Sequence, residues 1–182
     1  FLLMGFEKKS LPPSTLLSVR SEVIVNAPPE KVWNNVVTFS ELPPADDWLF
    51  DLGIACPTCA TIEGTGVGAI RYCNFTTGPF VEPITVWDEP NVLAFDVTKQ
   101  PAPMKELSPY DIHPPHLDGH LQSKRGEFRL ERIDGDRTRL TGTTWYKHHM
   151  WPAFYWKIWS DFLIGRIHDR VLQHVKNLSE KS

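Results

Sequence analysis

Residues 21–33 read SEVIVNAPPEKVW and change from the alternation of a β-strand to the start of a helix. Over 15–27, apolar residues recur at every second position, which is typical of a strand. Asn26, the two following prolines and Glu30 are a helix-start pattern, so Asn26 is the expected cap. Val32, Trp33, Val36 and Val37 fall on one helical stripe. The stretch therefore predicts a strand over 15–27 and a short helix over 28–39.

The following residues predict a second short helix and then a run of strands. Leu42-Pro43-Pro44 ends the first helix, and 46–52 can form another. Short β-rich segments joined by turns then follow, of which Asp134-Gly135-Asp136 is the strongest hairpin signal. They predict an antiparallel meander with strands over 59–64, 69–77, 80–88, 92–98, 126–133 and 137–146.

The C-terminal segment predicts one long helix from Pro152 to about Leu178. Its apolar stripe comprises Trp159, Leu163, Ile167, Val171, His174 and Leu178. Further aromatic residues wrap the first half of the helix, so this half must be covered on more than one side. A curved sheet with a covering loop, a membrane surface or a partner could each do so.

This order of elements, with residues 21–33, resembles the helix-grip fold of the SRPBCC superfamily. The superfamily includes START-type lipid-transfer domains, the birch-pollen allergen family and the polyketide cyclase/dehydrase group. Supporting matches are GVGAIR at 66–71, WDEPNVLAF at 87–95 and TRLT at 138–141. The resemblance implies an α+β fold in which a curved antiparallel sheet of six or seven strands wraps around a long C-terminal helix, with two short helices after the first strand. It is specific for fold and weak for activity, because one scaffold hosts binders, cyclases and oxygenase subunits.

The predicted domain organisation is simple. Residues 1–14 form an N-terminal tail or linker, and 15–182 form a START-like ligand-binding domain. Within it, the proline- and histidine-rich residues 101–123 form a lid-like insertion, where the superfamily leads us to expect a short loop.

Composition excludes some classes of partner. The formal net charge is −3 and basic residues do not cluster, so we expect no nucleic-acid partner. An odd number of cysteines, three, favours a reducing compartment, and hence the cytoplasm. Residues 1–6, FLLMGF, followed by Glu7 and two lysines, fit either the end of a membrane segment or an unstructured extension. A membrane tether therefore stays open, as does the oligomeric state.

The resemblance implies a hydrophobic tunnel between the concave sheet face and the terminal helix. The expected apolar lining is aromatic apart from one leucine. Arg71 and Glu82 lie on neighbouring strands and could pair, and such a pair would orient a polar ligand group if it lay inside. Alternation separates the two sheet faces without identifying the concave one, and no catalytic residue is legible. The predicted apolar lining is Tyr72, Phe75, Phe95, Phe128, Tyr146, Tyr155, Trp159 and Leu163.

A metal site is the less favoured of two interpretations of Cys56-Pro57-Thr58-Cys59. Together with His113 and His116 these thiols would form a set suited to Zn²⁺. The favoured alternative is two half-buried thiols and a separate polar loop, because nothing in the sequence brings the clusters together. We therefore expect no cofactor.

Three functional hypotheses follow. The leading one is binding or transport of a hydrophobic small molecule, such as a lipid, polyketide or aromatic compound, in an internal cavity. The second is an enzyme of the cyclase/dehydrase type, in which a polar pair moves protons. The third is a membrane-tethered interaction module whose aromatic half-helix docks on lipid or on a partner.

Overall fold

Seven antiparallel strands form one curved sheet in the computed structural model, which describes residues 15–45, 47–105 and 120–181. The spatial order is β1-β7-β6-β5-β4-β3-β2, so consecutive strands are neighbours except where β1 joins β7. The strands are β1 Leu17–Val25, β2 Pro57–Glu63, β3 Ile70–Phe75, β4 Gly78–Asp88, β5 Val92–Asp96, β6 Leu121–Asp134 and β7 Arg137–His148.

The described residues also form three helices: α1 Pro29–Val37, α2 Trp48–Asp51 and α3 Ala153–Glu180. Helix α3 packs chiefly on β1 and also contacts α1 and β7. The core lies between α3, α1 and the inner face of the sheet, where Trp33, Leu140 and Val175 are almost fully buried. The α+β architecture predicted from the sequence is thus confirmed.

The observed starts of α1 and β6 differ from the predicted ones. Pro28, not Asn26, is the N-cap of α1 and it makes no side-chain capping bond. The Asn26 backbone N–H instead donates to the Glu180 carboxylate, because the end of α3 lies beside it. Strand β6 begins at Leu121, so residues 121–123 of the predicted insertion belong to the sheet. The predicted tail 1–14 and residues 106–119 of the insertion lie outside the described residues.

Candidate functional site

A cavity of about 120 Å³ lies between the inner face of β3–β7 and the middle of α3. Alternation along the strands directs apolar side chains inward, and α3 supplies the opposite wall. Its lining includes Phe75, Phe80, Phe95, Phe128, Ile164, Ile167, His168, Val171 and Leu172, together with Arg71, Cys73, Glu82 and Thr144.

Arg71 and Glu82 form a buried ion pair at the wall of this cavity. They face each other across the β3–β4 ladder, and the Arg71 Nη1 atom donates to Glu82 Oε2. Burial raises the pKa of the Glu82 carboxyl above its ordinary value, and the Arg71 guanidinium opposes this effect. The predicted pairing is therefore present and inside, but its two charges neutralise each other.

The rest of the Arg71 guanidinium is also occupied. Its Nε donates to the Val37 carbonyl at 3.1 Å and its Nη2 to the Val36 carbonyl at 3.4 Å. These carbonyls belong to the last turn of α1, where a cation is favourable. Three aromatic rings complete the enclosure, with centroids 5.4–5.6 Å from the guanidinium carbon; they belong to Phe39, Phe95 and Phe128. Arg71 thus ties α1 to the sheet.

Cys73, on the same inner face, is held in its neutral form. Burial, and next the nearby Glu82 carboxylate, raise the pKa of its thiol to about 12. At neutral pH the thiol is protonated, which removes the thiolate that nucleophilic catalysis needs.

His168 is one of several cavity residues that sequence reasoning missed. Its Nε2 shares a 2.7 Å hydrogen bond with the Thr144 hydroxyl, and its Nδ1 lies 3.3 Å from the Ser21 hydroxyl. Burial lowers the pKa of the imidazole to about 4, so it is neutral at pH 7. The available signal was helical spacing: His168 stands four residues after Ile164 and four before Leu172, both buried.

The predicted lining residues separate into two groups. Phe75, Phe95 and Phe128 lie at the cavity with Arg71 and Glu82. Tyr72 is not at the cavity; its hydroxyl donates to the Glu63 carboxylate on the neighbouring strand. Tyr146 is fully buried away from the cavity, and its hydroxyl donates to Asp161 at 2.5 Å.

On α3 the predicted stripe is displaced by about one residue from the face that packs on the sheet. Tyr155 and Trp159 are exposed by 46% and 39%, and Leu163 is half-buried outside the cavity lining. The buried positions are Ala153, Ser160, Ile164, Val171, Leu172, Val175 and Ser179. Small residues at 153 and 160 give this face little hydrophobic signal, which is why the larger aromatic residues dominated the pattern.

The predicted metal ligands are only partly described. Cys56 and Cys59 are free thiols, the first buried and the second half-buried. His113 and His116 lie outside the described residues. Within residues 15–45, 47–105 and 120–181, no three His, Cys, Asp or Glu side chains converge as a metal site would require.

Solved structures of other proteins share the architecture of this chain. Norcoclaurine synthase from Thalictrum flavum, in complex with dopamine and hydroxybenzaldehyde, superposes with a TM-score of 0.57 at 16% identity, over 93% of this chain and 91% of that one. The Zhui aromatase/cyclase from Streptomyces sp. R1128 gives 0.57 at 14%, over 91% and 94%. The chain has the helix-grip fold.

The helix-grip match extends to a two-domain protein. The di-domain aromatase/cyclase BexL, from the BE-7585A biosynthetic pathway, gives a TM-score of 0.54 at 12% identity, over 92% of this chain and 51% of that one. At such identities the likeness shows the fold, so the resemblance to the SRPBCC superfamily is confirmed at that level. No protein-family profile matches the chain, and no curated protein does.

A separate observation concerns membranes. None of the helices in the described parts of the chain is long and apolar enough to cross a bilayer.

Proposed function

We propose that this helix-grip domain binds a small, uncharged, largely apolar molecule in the cavity between the sheet and α3. The observation that carries the proposal is the cavity itself, an unfilled space walled mainly by aromatic and branched aliphatic side chains. Burial of apolar surface would supply the affinity, at roughly 25 cal/mol per Å² removed from water.

The size of the cavity favours a guest of about one ring. A cavity of about 120 Å³ is smaller than most drug-sized ligand pockets, which span roughly 300–1,000 Å³. Apolar cavities near 150 Å³ accept benzene in other proteins. One solved structure with this fold holds dopamine and hydroxybenzaldehyde, both single-ring molecules.

The charges at the wall favour a neutral guest. Arg71 is neutralised by Glu82 and enclosed by other partners, so it offers no unpaired cation to a carboxylate. Cys73 and His168 are uncharged at neutral pH. An anion entering this site would lose its hydration without gaining an ion pair, which is costly. The Thr144 hydroxyl, already bonded to His168, can orient one ligand hydroxyl or carbonyl.

The cyclase/dehydrase hypothesis requires a group that moves a proton at the cavity. The ionisable side chains of the described lining are Arg71, Cys73, Glu82, Arg125, Glu127 and His168. Arg125 and Glu127 pair with each other at 3.7 Å, so each of the six is charge-paired or neutral. An enzymatic role therefore stays a prediction, ranked below binding.

The proposal is tested by titrating the protein with toluene, phenol and benzoate, monitored by NMR chemical-shift changes at Phe128 and Leu172. We expect toluene and phenol to saturate and benzoate to bind at least tenfold more weakly. Gly142→Ala supplies the filled-cavity variant, because its added Cβ would lie 3.6 Å from Leu172 and Phe128, an ordinary contact distance. This variant should bind at least fivefold more weakly.

Val67→Ala is the matched control, because Val67 lies in an exposed turn and is 68% exposed. It should bind like the wild type. Equal binding by the Gly142→Ala variant, or a preference for benzoate, would overturn the proposal.

A further inference from the structure

The first three turns of α3 expose large apolar side chains on the side of the helix that faces away from the sheet. Phe154, Tyr155, Ile158, Trp159 and Phe162 are all exposed, with Ile158 at 65%. At 100° per residue these five positions span roughly 140° of one side of the helix over about 12 Å. Trp151, immediately before the helix, is exposed by 58%. We call these six residues the aromatic face.

The charged residues of this half-helix lie outside the aromatic face. Between 153 and 165 the charged residues are Lys157 and Asp161, and they pair with each other. Asp161 also accepts a hydrogen bond from the buried Tyr146 hydroxyl. The Lys157 and Asp161 side chains are 40% and 30% exposed, so the pair lies at the border between the aromatic face and the sheet. The aromatic face itself therefore carries no charge. An ordinary surface helix has the reverse arrangement, with polar residues outward.

The area and composition of the aromatic face indicate what covers it. Five half-exposed aromatic side chains, each offering ~150–250 Å² when buried, present roughly 500 Å². This is the size at which exposed patches mark interaction sites, yet it is below the ~800 Å² per partner of a stable protein interface. A second copy of the chain is thus poorly supported, whereas a bilayer surface sets no such minimum area.

We propose that the aromatic face inserts into the interfacial region of a lipid bilayer, with α3 lying in the membrane plane. Trp and Tyr favour the headgroup level because one end of the ring is apolar and the other polar. The face ends at Phe162, two residues before Ile164, the first α3 residue of the cavity lining. Docking would therefore bring the helical wall of the cavity close to the bilayer. Because the face is uncharged, zwitterionic lipid is sufficient and added salt has little effect.

The experiment is co-sedimentation of the full chain with phosphatidylcholine vesicles, at low and high salt. We expect the wild type to pellet with the vesicles at both salt concentrations, and its tryptophan emission to shift to the blue. The variants Ile158→Glu and Phe154→Glu should partition at least tenfold more weakly, because each places a charge in the inserted surface. Both positions are exposed, so circular dichroism and thermal unfolding should match the wild type.

Val67→Glu is the control, because it places the same charge at an equally exposed apolar position away from α3. It should bind vesicles within twofold of the wild type. The proposal is overturned if the wild type stays in the supernatant, or if Val67→Glu weakens binding as much as Ile158→Glu. It is also overturned if sedimentation equilibrium shows a dimer that Ile158→Glu dissociates and vesicles do not compete with.

Discussion

The buried ion pair between Arg71 and Glu82 should contribute to the stability of the fold, because each charge depends on the other for neutralisation. In Glu82→Gln the guanidinium would stay buried beneath three rings without its carboxylate. We expect the free energy of unfolding to fall by about 3 kcal/mol, the cost of leaving one member of a buried pair alone. Urea unfolding monitored by tryptophan fluorescence measures the loss.

The matched control for that substitution is Glu131→Gln. Glu131 pairs with Arg139 at 3.3 Å, and both side chains are more than 40% exposed. An exposed pair contributes at most about 1 kcal/mol. Losses of equal size in the two variants would contradict a special role for the buried pair.

His168 gives the fold a dependence on pH with a definite sign. An unfolded histidine takes up a proton near pH 6.5, whereas folded His168 does so only near pH 4. Between these values the unfolded state binds more protons, so acidification favours unfolding. The contribution is fully present above pH 6.5 and is lost as the pH falls to about 4, a difference of roughly 3 kcal/mol.

Urea unfolding at pH 7 and pH 4 measures this loss in the wild type and in His168→Gln. The variant should lose about 3 kcal/mol less than the wild type over that interval. His148 and His174, whose pKa values burial also lowers, are present in both proteins and cancel in the comparison. Identical pH profiles would rule out His168 as the source.

Among the elements, β5 and β6 meet where Gly126 faces Phe95 across the ladder. A Cβ built on Gly126 would overlap the Phe95 ring. We expect Gly126→Ala to displace that ring and to lower the free energy of unfolding by about 1–3 kcal/mol, as overpacking does.

Gly142→Ala is the comparison variant. Its new methyl meets Leu172 and Phe128 at 3.6 Å, so we expect the free energy of unfolding to be unchanged or raised by about 0.5 kcal/mol. Thermal unfolding of the two variants distinguishes the outcomes, and equal stabilities would show that the ring moves freely.

The sequence predicted the positions of the strands more reliably than it predicted which side of α3 is buried. Alternation and the turn at Gly135 located the β6–β7 hairpin, whose strands meet at Asp134 and Arg137, but β6 begins five residues before its predicted start. The helix pattern failed because the largest apolar residues lie on the exposed side. Ser160 and Ser179, both almost fully buried, carry no hydrophobic signal. Only the position of the sheet shows which side of the helix is inside.

Several residues of the site that lie on strands were predicted, whereas those on α3 were not. Arg71, Phe75, Glu82, Phe95 and Phe128 occupy strand positions on the inner face, where a period of two and the register of neighbouring strands are informative. His168 was missed because its role depends on hydroxyl groups from β1 and β7, more than twenty residues away along the chain. Such contacts are a property of the fold and have no local pattern.

At the scale of the whole molecule, the C-terminal end of α3 is hydrogen-bonded to α1. The Asn35 side chain donates to the Ser179 hydroxyl at 3.0 Å, and Lys31 Nζ donates to the Lys181 carbonyl at 2.7 Å. Removal of residues 179–182 should lower the free energy of unfolding by about 1–3 kcal/mol, at about 1 kcal/mol for each lost bond. Chemical denaturation measures this change. Ser179→Ala alone should lose about 1 kcal/mol, and a truncated protein as stable as the wild type would contradict the expected closure.

The buried thiol of Cys73 can report when the folded protein opens. Because it is buried and ionises only near pH 12, an alkylating reagent cannot modify it while β3 and β4 remain paired. Cys59, half-buried on β2, has no such protection. Cys56 is buried as well, so the peptide that carries Cys73 must be followed by itself. Mass spectrometry of that peptide times the spontaneous openings of the space between the sheet and α3, and a tightly bound ligand should lengthen the interval between them.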